Sequence, residues 1–479
     1  MNYRMIRYLL GVILLIEGAL LTLPMLVAVI YGESILPFLI TVGILAVIGL
    51  PCVIFKPKDT QIYARDGFIC VASAWILMSA FGALPFVFSG AIPNYIDAFF
   101  ETASGFTTTG ASILRAVEPL PKGILFWRSF THWIGGMGVL VFMLAILPSS
   151  GGQAMHLLRA ETPGPTKGKL VPKMRQSAII LYGIYVVMTI ILVVALLLCK
   201  LPLYDSLVTA FGTAGTGGFS VLNASIGGYN NPAAEWVIAV FMVLFGINFN
   251  LYYFMLIGKA RDAFKSEELR VYLAIVALAT IAITVNTVNT VSGLSDGIRT
   301  SFFQVASIIS TSGFATVDYN LWSSFAKSVL LLLMITGACA GSTAGGLKIS
   351  RVIILLKSIV REIKHMLNPR SVNVIRLDGK VIEDETTRSA LGYLAVYITL
   401  IITSVLLLSF DGFGLETNLS ATLACINNVG PGFDAVGPAS NFADYSLFSK
   451  AILSVAMLIG RLEIMPMMIL FTPFAWKKR

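Results

Sequence analysis

Charged side chains are scarce in this chain. They make up 12% of its 479 residues, against about 25% in a soluble domain. That scarcity excludes an ordinary water-soluble globule. Histidine is scarcer still. His132, His156 and His365 lie far apart, which argues against a zinc site. The cysteines (Cys52, Cys70, Cys199, Cys339 and Cys425) are scattered, mostly inside apolar runs. No pair has metal-ligand spacing, and the pattern argues against a disulfide framework.

Apolar residues are abundant, at 57% of the chain. Runs of about 20 of them recur along its whole length, the signature of transmembrane helices. The expected fold is an all-α polytopic membrane protein. Ten crossings are expected, at roughly 6–30, 34–55, 67–90, 123–148, 176–199, 233–257, 269–290, 326–356, 388–409 and 447–473. The first run directly follows Met1-Asn2-Tyr3-Arg4, has no small-residue cleavage site and leads into another span. It reads as an anchor, not a signal peptide.

The net charge is +9. Its basic residues gather on one side of the expected spans. They are Arg4, Arg7, Lys56, Lys58, Arg65, Arg159, Lys167, Lys169, Lys173, Arg175, Lys259, Arg261, Lys265 and Arg270, the stretch from Lys348 through Arg388, and the tail Lys477-Lys478-Arg479. The positive-inside rule makes these connections, and both termini, cytoplasmic. The excess charge thus reports topology and not a nucleic-acid partner. The opposite side carries Asp97, Glu101, Glu118, Asp205, Glu235, Asp296, Asp318, Asp411, Glu416, Asp434 and Asp444, with fewer basic residues. An acidic mouth there would concentrate cations; ordinary solvated loops are the plain alternative.

Four segments on that acidic side resemble one another: "FETASGFTTTGAS" (100–112), "LVTAFGTAGTGGFS" (207–220), "FQVASIISTSGFAT" (303–316) and "ATLACINNVGPGFDAV" (421–436). Each has a short apolar segment followed by a Ser/Thr/Gly or Asn/Gly/Pro stretch. Ten helical residues reach only about 15 Å, half the hydrocarbon core. The expected unit is span, re-entrant half-helix, loop, span, repeated four times. The divisions are a two-helix N-terminal addition at 1–58 and repeats at 59–160, 161–264, 265–372 and 373–479. Non-helical backbone at membrane depth must be buried in protein or line an aqueous cavity. Four such loops meeting on one axis describe a pore.

The expected filter residues are Thr108-Thr109-Gly110, Gly215-Thr216-Gly217, Thr311-Ser312-Gly313 and Gly430-Pro431-Gly432. The glycines aligned across the loops are Gly110, Gly217, Gly313 and Gly432. Glycine permits unusual backbone conformations, and rings of carbonyl oxygens replace the hydration shell of an alkali cation. The rival role for such glycines is close helix packing; repetition in four loops favours the filter. Four different tripeptides cannot form equivalent rings, so looser selectivity than in a symmetric filter is expected.

These loops, with "FTHWIGGMG" (130–138), "GACAGSTAGGLKISR" (337–351) and "GRLEIMP" (460–466), resemble the Trk/Ktr/HKT superfamily of potassium transport proteins over nearly the whole chain. The two extra N-terminal spans resemble its TrkH-like pore subunits. The resemblance implies potassium uptake through one chain folded like a channel tetramer in a prokaryotic plasma membrane. It also implies a homodimer, contact with membrane lipid, and a cytoplasmic TrkA-like regulatory subunit that binds a nucleotide. The ion is the cargo, and the chain itself is expected to hold no cofactor and no catalytic site. Gly110, where plant sodium transporters of the superfamily have serine, favours potassium. The resemblance has one departure: His132 stands where relatives usually carry glutamine, and because it lies outside the expected filter little functional role is expected of it.

Two further elements are expected near the filter. The eighth span contains Gly337, Ala338, Cys339, Ala340, Gly341, Ser342, Thr343, Ala344, Gly345 and Gly346. So many small residues weaken a helix in its middle. A break there gives an intramembrane loop, with small-residue packing as the rival; the resemblance implies a gate. Lys348 and Arg351 follow it. Arg461 sits deep in the last span, where an arginine faces protein or water. Glu463, two residues on, points to another face. The expectation is that Arg461 contacts the 337–346 loop and repels cations when the pore is closed; a buried structural ion pair is the alternative. Arg128 and His132, four apart, share a face and brace the first half-helix through Glu101. Glu17, Asn248 and Asn250 read as inter-helix hydrogen bonders. An ion-coupled secondary transporter is the competing function, but such proteins carry midplane carboxylates, and these loops have none. An intramembrane enzyme lacks a nucleophile–base pair.

Overall fold

Asn2 starts the first helix by accepting the N–H of Met5 at 3.1 Å, a side-chain cap on one of the helix's free donors. The structure, a computed structural model, describes residues 1–57, 59, 63–138, 174–288, 293–371, 373–462, 464–470 and 472. Lys58, His156, Arg159, Lys167, Lys169, Lys173, Glu463 and the basic tail lie outside these residues. So does the expected second half of the fourth crossing.

The N-terminal addition is α1 (Tyr3–Leu20), continued by α2 (Thr22–Ile30), and α3 (Leu36–Ile54). Gly11 and Gly49 let α1 and α3 touch: a Cβ on Gly11 would lie 2.5 Å from that of Cys52. Small residues permit such close approach in membranes.

Four units follow. The first is α4 (Ala64–Gly82) with α5 (Leu84–Phe88), the short α6 (Tyr95–Phe106) and α7 (Lys122–Gly136). The second is α8 (Met174–Leu198), the short α9 (Leu203–Gly215), α10 (Pro232–Phe245) and α11 (Phe249–Leu256). A connecting α12 (Ala260–Phe264) leads to the third unit: α13 (Glu267–Thr287), α14 (Leu294–Ile309), α15 (Ser324–Thr336) and α16 (Ile349–Leu367). A hairpin of β1 (Arg376–Leu377) and β2 (Lys380–Val381) precedes the fourth: α17 (Asp384–Leu408), α18 (Leu415–Ile426), α19 (Leu447–Arg461) and α20 (Ile464–Leu470).

Among the described residues six helices are long and apolar enough to cross a membrane, and a seventh if α10 and α11 count as one. The differences from ten uninterrupted crossings have local causes. α10 and α11 are bent by 92°. Their break is capped by Asn248, which accepts the N–H of Asn250 at 3.0 Å; it is thus a cap, where an inter-helix role was expected. α15 stops at Thr336 because Gly337 takes φ +63°, and the chain becomes helical again only at Ile349. α19 ends at Arg461.

The half-helices α6, α9, α14 and α18 have 12, 13, 16 and 12 residues. All are largely buried, and the residues that end them, from Thr107–Thr109 to Asn427–Asn428, are sealed in protein. One apolar core joins the N-terminal addition to the first and fourth units. A second joins the second unit to the third. Of the half-helices, α9 and α18 contribute to both cores, α6 to the first and α14 to the second.

Candidate functional site

Each half-helix ends in the same backbone device. Thr108, Thr216, Thr311 and Asn428 take φ of 55°, 58°, 58° and 55°. The next residue then donates its N–H back five positions: Thr109 to Ser104, Gly217 to Gly212, Ser312 to Ser307 and Val429 to Ala424, each at 2.8 Å. This is the left-handed ending that satisfies the last carbonyls of a helix. One residue further, Gly110, Gly218, Gly313 and Gly430 take φ of 82°, 80°, 74° and 102°.

These four glycines close a cycle. A Cβ on Gly110 would lie 1.9 Å from the carbonyl oxygen of Gly217; on Gly218, 2.0 Å from that of Ser312; on Gly313, 2.2 Å from that of Val429; on Gly430, 2.7 Å from that of Thr109. Each loop thus lays a glycine against a carbonyl of the next, and the fourth returns to the first. All four glycines line one cavity of about 140 Å³. A second cycle stitches the returning strands. Val117 N–H donates to Asn223 at 2.8 Å, Gly227 N–H to Ala315 O at 3.1 Å, Asp434 N–H to Asn320 at 2.9 Å and Phe442 N–H to Ser112 O at 2.8 Å.

The register differs from the sequence alignment in two loops. Gly218, not Gly217, is the ring glycine equivalent to Gly110, and Gly430, not Gly432, is the fourth. Gly432 lies behind the ring, its N–H bonded to Val436 O at 2.7 Å and its carbonyl to the Tyr319 hydroxyl at 3.2 Å. Gly215 is the last residue of α9 and packs on the His132 carbonyl. Pro431 lines the cavity.

Side chains behind the loops set their spacing. Thr107 and Thr109 share a hydroxyl bond of 2.7 Å, and Ser310 and Ser312 one of 2.8 Å. Asn428 donates to the Thr109 hydroxyl at 2.9 Å and to Met457 O at 3.0 Å. The expected brace is present. Arg128 Nε lies 2.6 Å from Glu101 Oε1, and both are buried. Glu101 also accepts from Ser112 Oγ and from the Ile113 N–H, both at 2.9 Å. Arg128 reaches Ser220 O at 3.0 Å and stacks over Phe219. His132 does more than was expected of it. Its Nδ1 lies 2.9 Å from Gly105 O, and its Nε2 accepts the Phe219 N–H at 3.3 Å. It therefore joins α6 to the strand leaving the second loop.

The acidic side has two readings, an acidic mouth or ordinary loops, and several of its carboxylates prove to be paired. Asp97 pairs with Lys450 at 2.8 Å, Glu235 with Arg299 at 2.9 Å, Glu416 with Lys327 at 3.0 Å and Asp444 with Arg115 at 2.5 Å. The lining of the cavity includes Arg115 and Arg128 and, among the described residues, no carboxylate.

The 337–346 loop touches the half-helix ends at residues preceding the ring glycines. Gly345 N–H donates to Thr311 Oγ1 at 2.7 Å, and a Cβ on Gly345 would lie 2.3 Å from Asn427 O. The loop also fills the α10–α11 break: Cys339 N–H donates to Gly246 O and Phe249 N–H to Gly341 O, both at 3.1 Å. Thr343 Oγ1 donates to Phe245 O at 3.2 Å. Arg461 meets this loop, as expected, donating from Nη1 to Thr343 O at 2.7 Å. Its Nη2 donates to Gly135 O at 2.5 Å and Gly136 O at 2.9 Å. Lys348 Nζ bonds to Ala344 O.

Glu268 was missed by the sequence reading. Its Oε1 accepts the N–H of Ala340 at 2.7 Å and of Ser350 at 3.1 Å, pinning both ends of the loop. The available signal was a carboxylate in the first turn of an apolar span. Asn428 was missed too, although asparagine is a residue that tolerates the left-handed conformation.

Four half-helices whose loops close into one ring, inside a bundle of apolar helices, define a multi-pass membrane protein with a channel-like centre built from a single chain. The chain belongs to the TrkH family of cation transport proteins, whose family model matches residues 38–478. It is 34% identical over 491 residues to the Trk system potassium uptake protein TrkH of Salmonella typhimurium, covering 100% of both chains. It is 35% identical over 483 residues to TrkG of Escherichia coli strain K12, covering 99% of each. The crystal structure of the potassium transporter TrkH from Vibrio parahaemolyticus superposes with a TM-score of 0.89 at 32% identity, covering 100% of both chains.

Proposed function

We propose that this chain carries potassium across the plasma membrane through the ring, its carbonyl oxygens replacing water around the ion. The observation that carries this reading is the closed cycle of Gly110, Gly218, Gly313 and Gly430 against the carbonyls of Gly217, Ser312, Val429 and Thr109. The relatives' printed role in potassium uptake supports it. The filter is then 108–110 and 216–218 with 311–313 and 428–430. Gly215 ends a half-helix, Pro431 faces the cavity, and Gly432 is a packing glycine.

In this reading the loop from Gly337 to Gly346 is the gate and Arg461 its latch. Basic connections and both termini face the cytoplasm. The chain works as a homodimer with a cytoplasmic, nucleotide-binding TrkA-like subunit; the word "system" in the relatives' names supports a multicomponent assembly. Uncoupled permeation is favoured over symport because the cavity lining, among the described residues, has no carboxylate to hold a coupling proton.

The test is growth of an uptake-deficient host at low potassium, together with rubidium flux into vesicles holding the purified chain. Rubidium uptake is expected, and Gly110→Ser should admit sodium. Absence of rubidium flux with the regulatory subunit present overturns the reading. A reversal potential that follows the proton gradient replaces permeation with symport.

A further inference from the structure

α16 leaves the gate loop buried and ends exposed. Ile349, Ser350, Arg351, Ile353 and Ile354 are covered. Beyond them Leu356, Ile359, Val360, Ile363, Met366 and Leu367 are each at least half exposed, with Met366 at 80%. Their spacing of three and four places them on one face. A helix facing water carries polar residues there.

A row of cations runs beside this apolar stripe: Lys357, Arg361 and Lys364, joined by Arg376 of the hairpin. Two are neutralised. Lys357 bonds to Glu267 at 2.7 Å, and Arg361 to Asp384 at 2.7 Å. The side chains of Lys364 and Arg376 make no hydrogen bond or ion pair among the described residues. The hairpin is fixed to the helix, since Lys357 Nζ also reaches Arg376 O at 2.8 Å. Between the two elements lies a groove of about 380 Å³, with Leu356, Val360, Val374 and Ile375 as apolar wall and Lys364 and Arg376 at the rim.

The start of α16 is fixed by the loop that lies against the ring, and its 19 residues extend about 28 Å toward the basic face. With the basic connections on the cytoplasmic side, as proposed above, this stripe leads from the ring toward the level of the lipid phosphates. An amphipathic helix with a basic edge at that level matches an anionic leaflet in both shape and charge. We infer that the groove between α16 and the β1–β2 hairpin binds an anionic phospholipid, its phosphate between Lys364 and Arg376 and its glycerol and upper acyl chain on Leu356 and Val360. Because α16 follows the 337–346 loop directly, a lipid held there restrains that loop; this clause rests on the gate reading above, and the depth of the groove on the orientation proposed there.

The experiment is lipid binding to the full purified chain, measured by native mass spectrometry with phosphatidylglycerol and phosphatidylcholine. Phosphatidylglycerol should be retained preferentially. Lys364→Gln and Arg376→Gln should each weaken it about fivefold, the worth of one basic residue at an anionic surface, while Lys259→Gln on the same side leaves it unchanged. Thermal unfolding in phosphatidylcholine should be the same for all variants, which separates lost binding from lost folding. Equal retention of the two lipids overturns the inference. So does competition by inorganic phosphate at equal concentration, which makes this a simple anion site. So does protection of the groove only in a dimer or with a protein partner. The readout involves no ion flux, so its failure leaves the proposed conduction standing.

Discussion

Asn428 donates a hydrogen bond of 2.9 Å to the hydroxyl of Thr109, joining loops 319 residues apart in sequence. The same amide reaches Met457 O at 3.0 Å, so one side chain ties the last loop to the first and both to α19. Removing it breaks both of these buried hydrogen bonds, at about 1–3 kcal/mol together. Asn428→Ala should lower unfolding stability in detergent by that amount and reduce discrimination of rubidium from sodium. Asn428→Gly keeps the left-handed backbone but lacks the amide. It should recover stability in part and selectivity not at all.

The ring register is tested by Gly218→Ala. Its new methyl would meet Ser312 O at 2.0 Å in a backbone with φ +80°. Rubidium flux should fall at least as far as in Gly110→Ala. Gly183→Ala, where nothing lies within 4 Å, should be silent. Normal flux through Gly218→Ala returns the register to Gly217.

Arg461 holds three carbonyl oxygens from two other segments. Each such charged hydrogen bond contributes about 1.5–3 kcal/mol. If it latches the gate, Arg461→Ala should raise basal flux in reconstituted vesicles about tenfold or more, and Arg461→Lys should fall between. An unchanged flux in Arg461→Ala removes the gating role.

Glu101 and Arg128 form a buried pair that ties α6 to α7 and to both returning strands. Breaking one half of such a pair costs about 3–5 kcal/mol. Arg128→Met alone should be destabilised by that much in thermal unfolding. The double variant Glu101→Gln/Arg128→Met should recover a large part, because the isolated buried carboxylate is gone.

The repeats were legible because a short apolar segment followed by Ser, Thr, Asn and Gly recurs four times between long spans. The register was less legible. "GTGGFS" and "NNVGPGF" each offer several glycines, and the choice is made by a main-chain hydrogen bond that spacing does not display. The mouth was left open between two readings because composition counts charges and not pairs: Lys450 and Asp97 lie far apart in sequence and 2.8 Å apart in space. The α10–α11 bend was hidden inside an apolar run, since what stabilises it is contributed by another unit. Arg461 was legible as a buried cation seeking oxygen, though not which oxygens it would find.

That bend has a mechanical consequence. The main-chain groups that the bend leaves without helix partners, Gly246 O and the N–H of Phe249, are partnered by Cys339 and Gly341 of the loop that crosses beneath the ring. The loop cannot withdraw alone without stranding polar groups in a dry interior, where each unpaired group costs about 1–3 kcal/mol. Movement of the third unit must therefore drag α11 of the second along with it, or admit water to the hinge. Two units that look independent in the fourfold plan work as a single lever.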